Sequence, residues 1–213
     1  MTGIYANSIK DKTGTRQLAS DSGSAWSWGS GVPAGTIIQT QFTQLTTSDQ
    51  QNYSADANTI VSGMTVNITP LFNNSIIKLE SYLFCEFENV NEANGSVSFF
   101  FRDSTALGNT QSSPSERQVG ISSCAISYWA SDPGMSTAEG FTTTFFDRPN
   151  DGTNSISQIT YKLGIQGANG GDLYINRTGA DTDAGYIERG CSYISATEIA
   201  QSSNGTITPA KAS

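Results

Sequence analysis

The chain has 213 residues, of which 36% are hydrophobic and only 14% charged, with 11 Lys and Arg set against 19 Asp and Glu. The resulting formal charge of -8 argues against DNA or RNA as a direct partner, because acidic surfaces repel phosphate. With no histidine anywhere, Ser-His-Asp and Cys-His catalysis and His-containing zinc sites are excluded as well.

Residues 1–35 differ in character from the rest of the chain. The stretch I-Y-A-N-S-I-K-D-K-T-G-T-R-Q-L-A-S has scattered apolar residues around a T-G-T turn, and suits either a small strand pair or an extended arm. Next comes D-S-G-S-A-W-S-W-G-S-G-V-P-A-G, rich in Gly and Ser but carrying Trp26 and Trp28. A free linker has no use for two indoles that each bury roughly 150–250 Å², and in an extended segment both project to one side. They either staple the segment to its own domain or dock the arm onto another subunit or a larger assembly. No window approaches the roughly 20 apolar residues of a membrane helix, so no membrane insertion is expected. The opening M-T-G-I-Y-A-N-S-I-K lacks the apolar run of a secretory signal, so synthesis in a cytoplasm is expected.

From Thr36 onward an alternating pattern is nearly continuous. T-I-I-Q-T-Q-F-T-Q-L reads as a first strand, and T-T-S-D-Q-Q-N-Y-S-A-D-A-N as a polar loop. Met64, Val66 and Ile68 alternate with Thr65, Asn67 and Thr69 in a second strand that stops at Pro70. In the third, Ile77, Leu79, Leu83, Cys85 and Phe87 share one face, with Lys78, Glu80, Glu86 and Glu88 opposite. Tyr82 and Phe84 interrupt that polar face. Two aromatics there call for a second contact, either a neighbouring subunit or a covering loop.

Asn94-Gly95 is a hairpin turn signal ahead of S-V-S-F-F-F-R-D-S. Beyond Pro114 come Q-V-G-I-S-S-C-A-I-S-Y-W-A, the turn S-D-P-G, and G-F-T-T-T-F-F-D-R-P. In S-I-S-Q-I-T-Y-K-L-G-I the residues Ile159, Tyr161, Leu163 and Ile165 point one way, while Gln158, Thr160, Lys162 and Gln166 point the other. The turn G-A-N-G-G, a short strand L-Y-I-N-R, a polar loop and a closing strand C-S-Y-I-S-A-T-E-I-A finish the pattern. Eight or nine short strands with no helical period predict an all-β fold, a two-sheet jelly-roll β-sandwich over residues 36–200. Residues 1–35 form its anchoring arm and linker, and 201–213 a polar tail. Cys85, Cys124 and Cys191 fit reduced thiols better than a disulfide framework, with Cys85 and Cys124 packed inside strands.

Four pieces of this sequence, in order, resemble a module of tail-fibre-like and other virion surface proteins of tailed bacteriophages, cyanophage-like ones especially. They are I-T-P-L-F-N-N-S-I-I-K-L, F-F-R-D-S-T-A-L-G, F-F-D-R-P with I-T-Y-K-L, and L-Y-I-N-R-T with S-Y-I-S-A-T-E-I. The leader W-S-W-G-S-G-V-P-A-G-T-I-I-Q-T is similar to the segment that introduces that module, so the resemblance spans about residues 20–200. It implies a jelly roll similar to the trimeric heads of the C1q and tumour-necrosis-factor type, carried outside a particle as a fibre tip, spike or capsid ornament. No catalytic residues come with it. A coiled-coil or triple-helical shaft is missing from the sequence, which favours a compact knob or decoration.

The expected function is therefore a non-enzymatic structural protein of a virion surface, made in the host cytoplasm. It would be a homotrimer with Tyr82 and Phe84 at the subunit interface, and Trp26 and Trp28 docking it to capsid or tail proteins. A second reading is a carbohydrate-binding adhesin for host-surface polysaccharide, with Tyr128, Trp129 and Asp132 as an aromatic-plus-carboxylate patch; Trp129 reads more directly as a core residue, by the same parity as Val119 and Ile121. A third is a polysaccharide depolymerase, for which Glu86 with Glu88, or Asp103 with Asp147, would supply paired carboxylates. No cofactor is called for. Asp172, Asp181 and Asp183 on a Gly-rich stretch are oxygen ligands of the kind Ca²⁺ takes, but without the spacing of a defined calcium loop; a solvated acidic loop is the other reading.

Overall fold

A computed structural model of the chain describes residues 32–88, 95–109, 118–124, 138–149, 157–185 and 187–201, together with the backbone of 8–10, 17–21 and 25–28. Among these residues there is no helix; the fold is all β. Strands β1 (Ser8–Lys10), β2 (Gln17–Asp21) and β3 (Ala25–Trp28) pair antiparallel into a three-stranded sheet of their own. The segment read as a strand pair or an arm thus contains three strands. Trp26 and Trp28 lie on β3, opposite Ser20 and Leu18 of β2.

The remaining strands are β4 (Ile37–Leu45), β5 (Asp49–Tyr53), β6 (Thr59–Ile68), β7 (Ile76–Phe87), β8 (Val97–Arg102), β9 (Thr105–Leu107), β10 (Ser122–Ser123), β11 (Glu139–Asp147), β12 (Ile159–Gln166), β13 (Gly171–Ile175) and β14 (Ser192–Ile199). They form two antiparallel sheets in a β-sandwich-like arrangement. In the larger, six-stranded sheet β7 is the spine. β11 runs along one edge of it, while β14 and β13 share the other, β14 against Ile76–Tyr82 and β13 against Cys85–Phe87. β4 lies beyond β14, and β5 beyond β13. The five-stranded sheet runs β6–β12–β8, with β10 and β9 pairing successive parts of the free edge of β8.

The chain alternates between the sheets: β4 and β5, then β6, β7, β8 to β10, β11, β12, and finally β13 and β14. Because each strand contributes one apolar face, this weaving brings two apolar faces together. The core takes Ile77, Leu79, Leu83, Cys85 and Phe87 from β7, and Ile159, Tyr161, Leu163 and Ile165 from β12, all as the alternation predicts. From β6 it takes Val61 as well as Met64, Val66 and Ile68. Val61 and Met64 break the period of two. Gly63, at φ 73°, makes this possible: the β6–β12 register slips between Lys162 and Gly164, and the slip returns both side chains to the inside.

Polar bonds also span the two sheets. Ser98 and Thr143 share a hydroxyl bond of 2.6 Å, and Asp147 accepts from Tyr161 Oη at 2.7 Å and from Arg102 Nη1 at 2.9 Å. At the chain-terminal end, the fully buried Glu198 carboxylate accepts from the Leu71 and Phe72 amides, the Ser75 hydroxyl and Gln39 Nε2, at 2.7–3.0 Å. Four donors replace water there, and the carboxylate fastens the β6–β7 connection to β14.

The expected loop over residues 46–58 is corrected: D-Q-Q-N-Y within it is strand β5. Only Tyr53 of that strand is buried, so alternation was invisible; the pairing comes from β13 at its side. Asn94 of the expected hairpin turn lies outside the described residues.

Candidate functional site

The outer face of the six-stranded sheet gathers the exposed aromatics. Cross-strand partners in an antiparallel sheet project to one side, so the register gives the layout directly. Tyr193 of β14, Tyr82 of β7 and Thr142 of β11 form one row across the strands. The next row is Phe42 of β4, Ser195, Glu80 and Thr144; the third is Thr40, Thr197, Lys78 and Phe146. Phe42 is 70% exposed, Phe146 59% and Tyr193 43%, and Ile37, at the start of β4, is 63% exposed. The Tyr82 and Tyr193 rings lie side by side, 6.3 Å apart and only 22° from parallel. The charges in the three rows are Lys78 and Glu80, bonded to each other at 2.9 Å. All the rest are neutral. This half of the face is open to solvent.

The other half, toward the end of β7, is covered. Residues 176–185 and 187–191, between β13 and β14, include the groups that cover it. Asn176 makes the turn in the left-handed region at φ 59°. Its side-chain amide donates to the carbonyls of Leu45 at 2.7 Å and Thr47 at 2.9 Å, and its Oδ1 accepts from Ser192 Oγ at 2.6 Å. Ser192 Oγ in turn accepts from the Phe84 amide at 3.0 Å. One buried Asn therefore ties β4, β7, β13 and β14 at the point where β13 and β14 meet on β7. Farther along, the Gly179 amide donates to Glu86 at 2.7 Å, and Gly190 lies flat on the Phe84 ring; a Cβ at Gly190 would come within 2.5 Å of it. Arg177 stacks over Tyr174 at 4.8 Å and donates to Gln50 at 3.0 Å. Burial, then Asp172 and Glu88 beside it, push the Tyr174 phenol above its ordinary value.

Of the two aromatics predicted on this face, Phe84 lies beneath the 176–191 segment, whereas Tyr82 leans over Gly140 beside Tyr193 at the border of the open half. Two of the three aspartates expected to offer oxygen ligands are held by separate partners. Asp172 accepts from Gln50 Nε2 at 2.7 Å, Asp181 forms an ion pair with Arg189 at 2.6 Å, and Asp183 is exposed. Among the described residues, no group of three His, Cys, Asp or Glu is placed to hold a metal. The carboxylate pairs have divergent roles: Asp147 is turned to the core, while Asp103, in the turn after β8, accepts from the Thr160 amide of β12 at 3.0 Å; Glu86 accepts from the Gly179 amide and Glu88 from the Asp172 amide. Tyr128, Trp129 and Asp132 lie outside the described residues. Cys85 and Cys124 are buried, and Cys191 is exposed.

Phe42, Tyr193 and Phe146 were not picked out from sequence, although each leaves a trace there. Phe42 shares parity with Thr40 and Gln44, and Tyr193 opposes the buried Ile194 and Ala196. Phe146 follows Phe145, and of two adjacent strand residues only one faces inward. Comparison with protein-family models and with curated proteins finds no match for the chain.

Proposed function

We propose that the chain is a non-enzymatic structural protein of a tailed-phage virion surface: a compact jelly-roll knob, decoration or tail-fibre component, working as a homotrimer. Its strongest support is the strand order. β4–β14–β7–β11 in one sheet and β6–β12–β8–β9 in the other, with the chain switching sheet at nearly every step, is the kind of connectivity expected of two Greek keys rolled together. That order accords with the fold implied by the sequence likeness to virion modules. In this reading residues 1–35 bind capsid or tail proteins, and the sandwich is displayed outward.

The test is the copy number of the chain in purified particles, against the major capsid protein. A number near that of the capsid protein fits a decoration, and a small multiple of three fits a tail or vertex position. Absence from the particles would reject the virion reading.

A further inference from the structure

We infer that the open half of the six-stranded sheet's outer face is where copies of this chain meet, through Phe42, Tyr82, Tyr193 and Phe146. The inference deepens the assembly reading above and rests on it, but it commits to one surface and moves the contact away from Phe84.

The occupant is set by charge and area. Copies of a chain with net charge -8 repel one another, so they associate where contact strands no charge. The three rows of the open half meet that condition, since Lys78 and Glu80 neutralise each other at 2.9 Å and their neighbours are Thr, Ser and aromatics. A partner of strong charge of either sign would find no counterpart here; a second copy brings an equally neutral surface. At roughly 200 Å² per ring, Phe42, Phe146 and Tyr193 leave about 350 Å² of aromatic surface in water. A stable interface takes about 800 Å² from each partner. The aromatics thus supply nearly half, and the exposed hydroxyl residues Thr40, Thr142 and Thr144 beside them extend the surface. Phe84 has one ring face taken by Gly190 of its own chain, so it has less to offer a second copy.

The experiment is sedimentation velocity of the full chain from about 1 to 100 μM, wild type beside Phe42→Ser, Tyr193→Ser and Ile60→Ser, each checked for an unchanged melting curve. Ile60 is exposed on the other sheet and serves as the control. The wild type and Ile60→Ser should assemble, while Phe42→Ser and Tyr193→Ser should each weaken assembly by about 30-fold or more, as central aromatic anchors do. Lys78→Glu should weaken it too, and added salt should restore part of the loss. A wild type that stays monomeric at 100 μM overturns the inference, as does assembly that Ile60→Ser disrupts and the two face variants leave intact. The virion reading fails separately: a chain that assembles through this face yet is missing from purified particles rejects that reading and leaves the interface standing.

Discussion

The two halves of one sheet face, a few residues apart on the same strands, are built on opposite principles. The half around Phe84, Glu86 and Tyr174 is closed by its own chain, with the Asn176–Ser192 network as the fastening and Gly190 as the tight fit. The half around Phe42, Tyr193 and Phe146 has strand alternation and hydroxyl neighbours but no covering segment among the described residues. Closure therefore depends on a single turn after β13. Where that turn folds back, polar and aromatic groups are buried with partners; where it does not reach, aromatics of the same kind stay in water. A surface left that way on a weakly charged sheet is suited to a partner, whereas the closed half is suited to stability.

The largest expected effect comes from undoing the fastening. Asn176→Ala removes the hydrogen bonds to the Leu45 and Thr47 carbonyls and the acceptor of the buried Ser192 hydroxyl, and places a Cβ-bearing residue without a compensating bond in the left-handed region. A loss of about 3 kcal/mol or more in urea denaturation is expected, with an unchanged dependence on denaturant. A loss below about 1 kcal/mol would mean that the segment closes without this residue. Gly190→Ala is next. Its Cβ meets the Phe84 ring at 2.5 Å, so the ring or the segment must shift, at about 1–3 kcal/mol. Pairing it with Phe84→Leu should recover part of the loss, which locates the strain at that contact. A smaller effect belongs to alkaline pH. The Tyr174 phenol, ordinarily near 10.0, is raised by burial in the folded chain. Its contribution is complete below the ordinary value and declines as pH rises through the higher folded one. Tyr174→Phe should flatten that alkaline decline in stability; an identical decline would assign it to other tyrosines.

How much of this was legible in sequence depends on which force placed each residue. Core faces driven by burial were plain: the alternation over β7 and β12 named Ile77, Leu79, Leu83, Ile159, Tyr161, Leu163 and Ile165 correctly. Val61 was missed because the slip at Gly63 is a backbone event with no hydrophobic period. β5 was missed because D-Q-Q-N-Y is a strand only in the company of β13. The fastening was hidden for a related reason: Asn176 reads as the end of the strand L-Y-I-N-R, whereas that strand stops at Ile175 and the Asn176 amide lies between the carbonyls of Leu45 and Thr47, more than a hundred residues earlier in the chain. On the outer face, Tyr82 and Phe84 were legible as a pair, since two aromatics among charges stand out. Their separation into an open and a covered side was not, because it depends on where the 176–191 segment lies.

The smallest expected effect is on the folding of the single chain when the open half is stripped. Phe42 is 70% exposed and Phe146 59%, so most of each ring is as wet in the folded state as in the unfolded one. Replacing either by Ser should change the stability of the unassembled chain by no more than about 0.5 kcal/mol, in the range of ordinary surface substitutions. Measured at low micromolar concentration, where association contributes least, the two losses should add, because Phe42 and Phe146 lie on strands separated by β14 and β7. At higher concentration the same substitutions should cost more, since assembly stabilises whatever state it binds. A cost that does not change with concentration would mean that these rings are held by contacts within one chain, and the contrast between the two halves would disappear.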